Sequence, residues 1–121
     1  MKRSILLQTA RPAVFAAFVE ELERQGCAVT LVADAAARQA GMQRQTPALI
    51  VVDAASQEEA RHEVIGIMRV NALVHTAVVT DMAEDVFHDA MEGLGILAAL
   101  PSQPSADDAR RLAHLLAELQ A

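Results

Sequence analysis

This sequence predicts an α/β domain built on a five-stranded parallel sheet with helices on both faces, and three observations carry that expectation. Short apolar runs alternate with helical patterns five times along its 121 residues. The runs are apolar on both faces, as strands buried from both sides must be. The segments between them place apolar residues at i, i+3 and i+4, the stripe by which a helix packs on a sheet. Right-handed crossovers then leave a doubly wound (βα)5 sheet as the simplest topology, in one domain spanning residues 1–121.

The elements follow in order. Ile5 to Gln8 reads as the first strand. Pro12 suits the first turn of a helix, where its missing N–H is not needed, and Phe15, Phe18, Val19 and Leu22 recur at helical spacing until Gly26. Ala28 to Val32 is the second strand. Asp34 caps an Ala-rich helix that runs to about Gln43. Ala48 to Val52 is the third strand, after a Thr46-Pro47 turn. Ser56 and Glu59 have capping-box spacing and open a helix that carries Val64, Ile67 and Met68 inward. Val74 to Thr80 is the fourth strand. Asp81 and Glu84 repeat the capping pattern before a stripe of Val86, Phe87, Ala90, Met91 and Leu94. Gly95 to Ala99 is the fifth strand, and Ser105 caps a last helix with Leu112, Leu115, Leu116 and Leu119 facing the core.

Composition narrows the function. Aromatic residues make up 2% of the chain, with no Tyr or Trp to stack on a base or sugar. The net charge of −6 repels a phosphate backbone, and the arginines form no stripe, so nucleic-acid binding is not expected. Cys27 is the single cysteine, which excludes an internal disulfide and reads as a small buried hydrophobe. The N-terminal apolar run is too short for a signal peptide and no run reaches membrane-spanning length, so a cytoplasmic protein with no membrane association is expected. His62, His75, His88 and His114 have no metal-ligand spacing, and Met42, Met68, Met82 and Met91 read as core filler and helix-edge residues.

In a doubly wound sheet the crevice lies beyond the carboxyl ends of the strands. Thr9, Asp53, Thr80 and Leu100 gather there. The sole lysine is Lys2, at the far end of the first strand, and no Asp or Glu precedes Glu20. The crevice therefore reads as a phosphate-handling site that keeps a solitary anion, Asp53, with no cation built in. Read locally, Asp53 is a polar strand end capping nearby backbone, and Thr80 a hydroxyl bonded to backbone.

These residues resemble the receiver domain of two-component response regulators, with its flavodoxin-like topology, over essentially the whole chain. Ile5-Leu6-Leu7-Gln8-Thr9-Ala10-Arg11-Pro12 is similar to the family's first strand, acidic pair and proline. Asp53 stands at the position of the phospho-accepting aspartate, Thr80 at that of the switch hydroxyl, and Leu100-Pro101 at that of the lysine-proline pair. The match is degenerate. Thr9 and Ala10 (or Gln8 and Thr9, one residue earlier) replace the two metal-binding carboxylates, and Leu100 replaces the lysine. Ala54-Ala55-Ser56 lacks the usual proline and glycine, Leu97 takes the aromatic switch position, and Asp81 stands where a small residue is usual.

Phosphoryl transfer to a carboxylate brings anion toward anion, and the protein must neutralise that charge. Each uncompensated pair at ~4 Å costs about 4 kcal/mol at an effective dielectric of 20, roughly a thousandfold in rate. The resemblance therefore implies a stand-alone, pseudo-receiver-like signalling module that works by protein–protein interaction and is not switched by phosphorylation. No catalytic residue, no cofactor and no metal ligand is assigned, and Mg2+ binding is expected to be weak or absent. The alternative is an atypical regulator phosphorylated on Asp53 by a histidine kinase in a phosphorelay, with the partner supplying the cation. A small-molecule sensor or enzyme using the crevice is a third reading, weakened by how few polar groups lie there. Partners are expected to be a kinase or output protein. The resemblance also implies a homodimer through the fourth helix, fifth strand and fifth helix, presenting Met91, Ile96, Ala98 and parts of 110–119.

Overall fold

The structure is a computed structural model, and it describes residues 2–81, 86, 87, 89, 91 and 93–119. Five parallel strands form one sheet: β1 (Arg3–Gln8), β2 (Cys27–Val32), β3 (Leu49–Asp53), β4 (His75–Val79) and β5 (Ala98–Leu100), in the order β2-β1-β3-β4-β5. The helices are α1 (Ala16–Arg24), α2 (Ala35–Arg44), α3 (Gln57–Val70) and the C-terminal α4 (Ala106–Leu119). Val86, Phe87 and Asp89 are helical as well, in the segment where a further helix is expected. Met82, Glu84, His88 and Ala90 lie outside the described residues. The predicted fold class is the observed one.

Alternation along the strands assigns each layer. Ile5, Leu7, Leu49, Val51, Ala77, Val79 and Leu100 point to one face, where Phe15, Phe18 and Leu22 of the first helical segment and Leu112 and Leu116 of α4 cover them. Leu6, Ile50, Val52 and Val78 point to the other face, against Met42, Ala60, Val64, Ile67, Phe87 and Met91. Phe15 and Phe18 meet edge to face at 6.0 Å. Cys27 is buried in the first layer, and that burial pushes its thiol pKa up.

Local chemistry sets the element ends. Asp34 accepts from the Ala37 N–H at 2.9 Å and Ser56 from the Glu59 N–H at 3.1 Å. At α4 the Ser105 hydroxyl accepts from the Asp108 N–H, while Asp108 accepts from the Ser105 N–H at 2.8 Å. That is a reciprocal capping box with Asp in the third position. Pro12 does not begin an α-helix but a 3-10 turn, Pro12–Phe15, which hands over to α1 at Ala16. The fifth strand begins at Ala98, three residues later than the sequence suggests, because Gly93 and Gly95 both take positive φ and turn the chain there. Met91 is 5% exposed and packs with Phe87 and Val78, so it belongs to the core and not to an outer face. Val86 is the half-exposed residue of that turn.

A buried cation lies between the sheet and the α2–α3 layer. Arg38 is 2% exposed, and its Nη1 donates to Gln8 Oε1 at 2.9 Å and to Glu63. Gln8 turns to this face because it follows the parity of Leu6. The desolvation of such a pair offsets much of its attraction, yet removing one partner strands a charge. Glu63→Gln should therefore lower the free energy of unfolding in urea by about 3–5 kcal/mol, and Arg38→Met with Glu63→Leu should recover most of that loss.

Glu21 joins the first and last helices. It accepts from Arg24 and Gln25 at 2.8 Å and lies 3.4 Å from Arg110 of α4. The Gln25 and Arg24 hydrogen bonds hold its pKa below the ordinary 4.5, against desolvation. A depressed carboxyl contributes its stability above the unfolded value and loses it as the pH falls through the folded one. Wild type should lose stability on acidification below about pH 4.5 more steeply than Glu21→Gln, as read by urea midpoints across pH.

Candidate functional site

Parallel register brings the site residues together. Gln8 pairs with Val52 across β1 and β3, so the next position on each strand sets Thr9 beside Asp53. Both follow the parity of the α1–α4 face. The Thr9 hydroxyl is buried and donates to Asp53 Oδ2 at 2.6 Å, while it accepts from the Arg11 N–H at 2.8 Å. One hydroxyl thus serves as donor and acceptor. Its second bond bends the chain back, so that the Arg11 side chain returns over the end of β3.

Arg11 then grips Asp53 with a fork. Its Nε donates to Oδ2 at 3.0 Å and its Nη2 to Oδ1 at 2.8 Å. Nη2 also donates to the Ser102 carbonyl at 3.1 Å, in the loop between β5 and α4. The guanidinium sits 5.8 Å from the centroid of the Phe15 ring, within cation–π range. Hydrogen bonding to Asp53 pushes the Arg11 pKa above its ordinary value, opposed by desolvation, with the Asp53 and Asp81 charges adding to the rise. The cation is therefore permanent. The Asp53 side chain is 6% exposed and that of Arg11 is 42% exposed, so solvent reaches the pair from the arginine side only.

This overturns the expectation of a crevice without a cation. Asp53 is paired, and it accepts from the side chains of Thr9 and Arg11 where a cap on neighbouring backbone is expected. Of the degenerate positions, Thr9 is in the site, and Ala10 is exposed on the loop with no polar group to offer. Leu100 is 5% exposed and packs in the core with Val79 and Leu112. Thr80 lines the cleft, and its N–H donates to the Leu100 carbonyl at 2.7 Å. Asp81 also lines it, and its Oδ1 accepts from the Ser102 N–H at 3.1 Å. Any cap it gives the following helix falls outside the described residues.

The cleft measures about 380 Å³, with Ser56, Gln57 and Met91 completing it around Arg11, Asp53, Thr80 and Asp81. A divalent cation of the Mg2+ type wants several oxygen ligands, at least one or two of them carboxylates. The residues present do not fit that group. Both oxygens of Asp53 already accept from Arg11, and Asp81 is turned to Ser102. Among the described residues no cluster of three His, Cys, Asp or Glu could hold a metal ion. A guanidinium stands where the metal's charge would be needed.

Neither a protein-family profile nor a curated protein sequence matches the chain. Solved structures do match its fold. The CheY-like protein TadZ from Pseudomonas aeruginosa superimposes with a TM-score of 0.74 at 13% identity, over 96% of this chain and 94% of that one. The CheY-like response regulator receiver domain protein from Methanospirillum hungatei gives 0.80 at 17%, over 99% and 98%. HP1043, an orphan response regulator of H. pylori, gives 0.77 at 13%, over 94% and 96%. The chain has the CheY-like receiver fold, an α/β fold with strand order 2-1-3-4-5. No described helix is long and apolar enough to cross a membrane.

The near-buried carboxylate makes the pair worth more than an exposed one. Arg11→Ala should cost about 1–3 kcal/mol in urea unfolding, the range for stranding a buried hydrogen-bonding group, against ~0.2–1 for exposed ion pairs. In an Asp53→Ala background the same change should cost far less, giving a coupling energy of about 0.5–3 kcal/mol in the double-mutant cycle.

Proposed function

We propose that this chain is a receiver-type signalling module that acts through protein contacts, with Asp53 held out of phosphoryl chemistry by Arg11. The single observation that carries this reading is the fork: both carboxylate oxygens of Asp53 are committed to one guanidinium. An aspartate must present a free oxygen lone pair to attack phosphorus, with cations ready to take up the developing charge. Here the cation is spent on the ground state. Catalysis needs interactions that strengthen in the transition state, and a pair already formed before reaction works against that. The module is read as a signalling domain, not an enzyme.

The surface for protein contact is read on the open edge of the sheet. β5 is an edge strand, and beside it runs a groove of about 410 Å³ between Ala98-Ala99-Leu100 and the Arg111, Leu115 and Glu118 side of α4. Leu115 on this groove and Leu119, the last residue of α4, are exposed, although the helical spacing predicts both to face the core. A self-complementary or partner surface there accords with the dimer face that receivers share. Ala98 is partly buried and lines this groove, whereas Ile96 is partly buried against the Val64, Phe87 and Met91 cluster.

A second reading is favoured by one observation. Arg11 offers in cis a cation at a crevice where Leu100 replaces the lysine, and a guanidinium fork suits phosphate as well as carboxylate. A kinase could then phosphorylate Asp53 if Arg11 moved from carboxylate to phosphoryl oxygens. Acetyl phosphate with Mg2+, followed by intact mass spectrometry, separates the two readings. Wild type should gain no phosphoryl group, and beryllofluoride should leave the oligomeric state seen by light scattering unchanged. A Mg2+-dependent adduct mapped to Asp53 and lost in Asp53→Asn would overturn the first reading in favour of the second.

A further inference from the structure

Ser102 is held from two sides. Its carbonyl accepts from Arg11 Nη2 at 3.1 Å, and its N–H donates to Asp81 at 3.1 Å. With the Thr9 and Asp53 contacts this makes one unbroken run of polar bonds, Thr9–Asp53–Arg11–Ser102–Asp81, joining the ends of β1, β3 and β4 to the β5–α4 loop. Leu100, two residues before Ser102, is packed in the core, and Ser105, three after it, caps α4. The segment between is short and carries Pro101 and Pro104. Its position is fixed at both ends by packing and in its middle by the crevice charges.

We infer that Arg11 is a latch that lets the charge of Asp53 set the position of the Ser102 segment, and through its neighbour Pro101 the lip of the surface that Leu100, Arg111 and Leu115 line between β5 and α4. The inference rests on the proposed module only for what the groove does; the latch itself stands on the crevice geometry. The physical reasoning is about what Arg11 does when Asp53 loses its charge. Arg11 is aimed at Ser102 because its Nε and Nη2 are already fixed on the carboxylate. A neutral side chain at 53 holds the guanidinium with fewer and weaker bonds, since charge-assisted hydrogen bonds are roughly twice as strong as neutral ones. A half-exposed arginine with its anchor weakened returns to solvent, and the Ser102 carbonyl then loses its charged donor. Asp81 alone keeps the N–H.

The latch turns the usual logic of a charge-gated crevice around. No ligand has to arrive for the loop to be held. Anything that neutralises or covers Asp53 releases it. Arg11 is a positioning residue in this scheme, since it acts on the groove only through Ser102.

Amide hydrogen exchange and 15N chemical shifts at Ser102 and Gln103 test this in the intact chain. Asp81→Ala, which deletes the acceptor of the Ser102 N–H and leaves the Arg11 bond to its carbonyl, marks the shift and exchange of a Ser102 amide with no acceptor. Arg11→Gln and Asp53→Asn should each move the Ser102 shift toward that state and raise its exchange rate by at least about tenfold, while amides in β1 and β3 stay protected. The double variant Arg11→Gln/Asp53→Asn should be no faster than either single one, because both break the same link. Arg11→Lys, a point charge without the fork, should fall between wild type and Arg11→Gln. The inference fails if Ser102 is unmoved in Arg11→Gln, or if the two single effects simply add. Light scattering on the same samples keeps the two ideas apart. Released Ser102 with unchanged assembly, and no partner contact at the β5–α4 groove, would retain the latch and count against the interaction face. Unmoved Ser102 with altered assembly would do the reverse.

Discussion

A carboxylate at the end of a central strand, with its side chain 6% exposed, must find compensation inside the protein. That constraint organises the upper end of this domain. Arg11 answers it with a bidentate fork, and each neighbouring feature makes the fork possible. The Thr9 hydroxyl folds the loop back while bonding the same carboxylate. The 3-10 turn that begins at Pro12 delivers Phe15 beneath the guanidinium. The Ser102 carbonyl takes the remaining Nη2 proton direction. A long side chain that would otherwise cost conformational entropy to order is held at three kinds of contact.

The same strand ends supply a second polar network on the opposite face, and parity alone separates the two. Gln8 follows Leu6 into the α2–α3 layer and meets Arg38, whereas Thr9 follows Leu7 toward Asp53. Neighbouring residues in the chain thus serve sites on opposite sides of the sheet. The Arg38 network is structural, closed over and paired with Glu63. The Asp53 network opens to a cleft and to solvent through Arg11. A one-residue slip of β1 would exchange the two sets, taking Thr9 from Asp53 and Gln8 from Arg38, so the polar residues here specify register along with the apolar ones.

Most of the fold was legible because it depends on periodicity. The inward faces of Phe18, Val64, Ile67 and Leu116 and the caps at Asp34, Ser56 and Ser105 follow from patterning, the doubly wound parallel sheet from chirality, and its strand order only from the resemblance. The start of β5 was misplaced because Gly93 and Gly95 sit in a run whose apolar residues look strand-like, and only φ reveals the turn. Met91 belongs to the predicted apolar stripe, four residues from Phe87, and the structure keeps it there, so the dimer face that the resemblance implies does not present it. In the site, Asp53, Thr9 and Thr80 were placed by strand ends and resemblance. Arg11 has no part in the sequence reading because the resemblance places the cation after β5, whereas this chain carries it after β1. A signal was present: among residues 9–11, 33–34, 54–56, 80–85 and 101–105, Arg11 alone is basic.

Leu100 and Arg11 are two aspects of one rearrangement. A lysine after β5 would reach the carboxylate from the side of the last helix, on a flexible stem able to follow an incoming anion. Leu100 closes that route by burying itself with Val79 and Leu112. The positive charge arrives instead from the loop after β1, in a planar fork that binds both oxygens at once and is stacked on an aromatic ring. Lysine's ammonium can be shared between two anions, whereas a bidentate guanidinium is geometrically committed to one carboxylate. Moving the cation from β5 to β1 therefore exchanges a group suited to catalysing transfer for one suited to holding a ground state. The missing lysine, the missing acidic pair and the retained aspartate are then consistent with one another. Two further carboxylates would compete for Arg11, a second cation would find no free oxygen on Asp53, and the aspartate remains because Arg11 and the Ser102 loop are built on it.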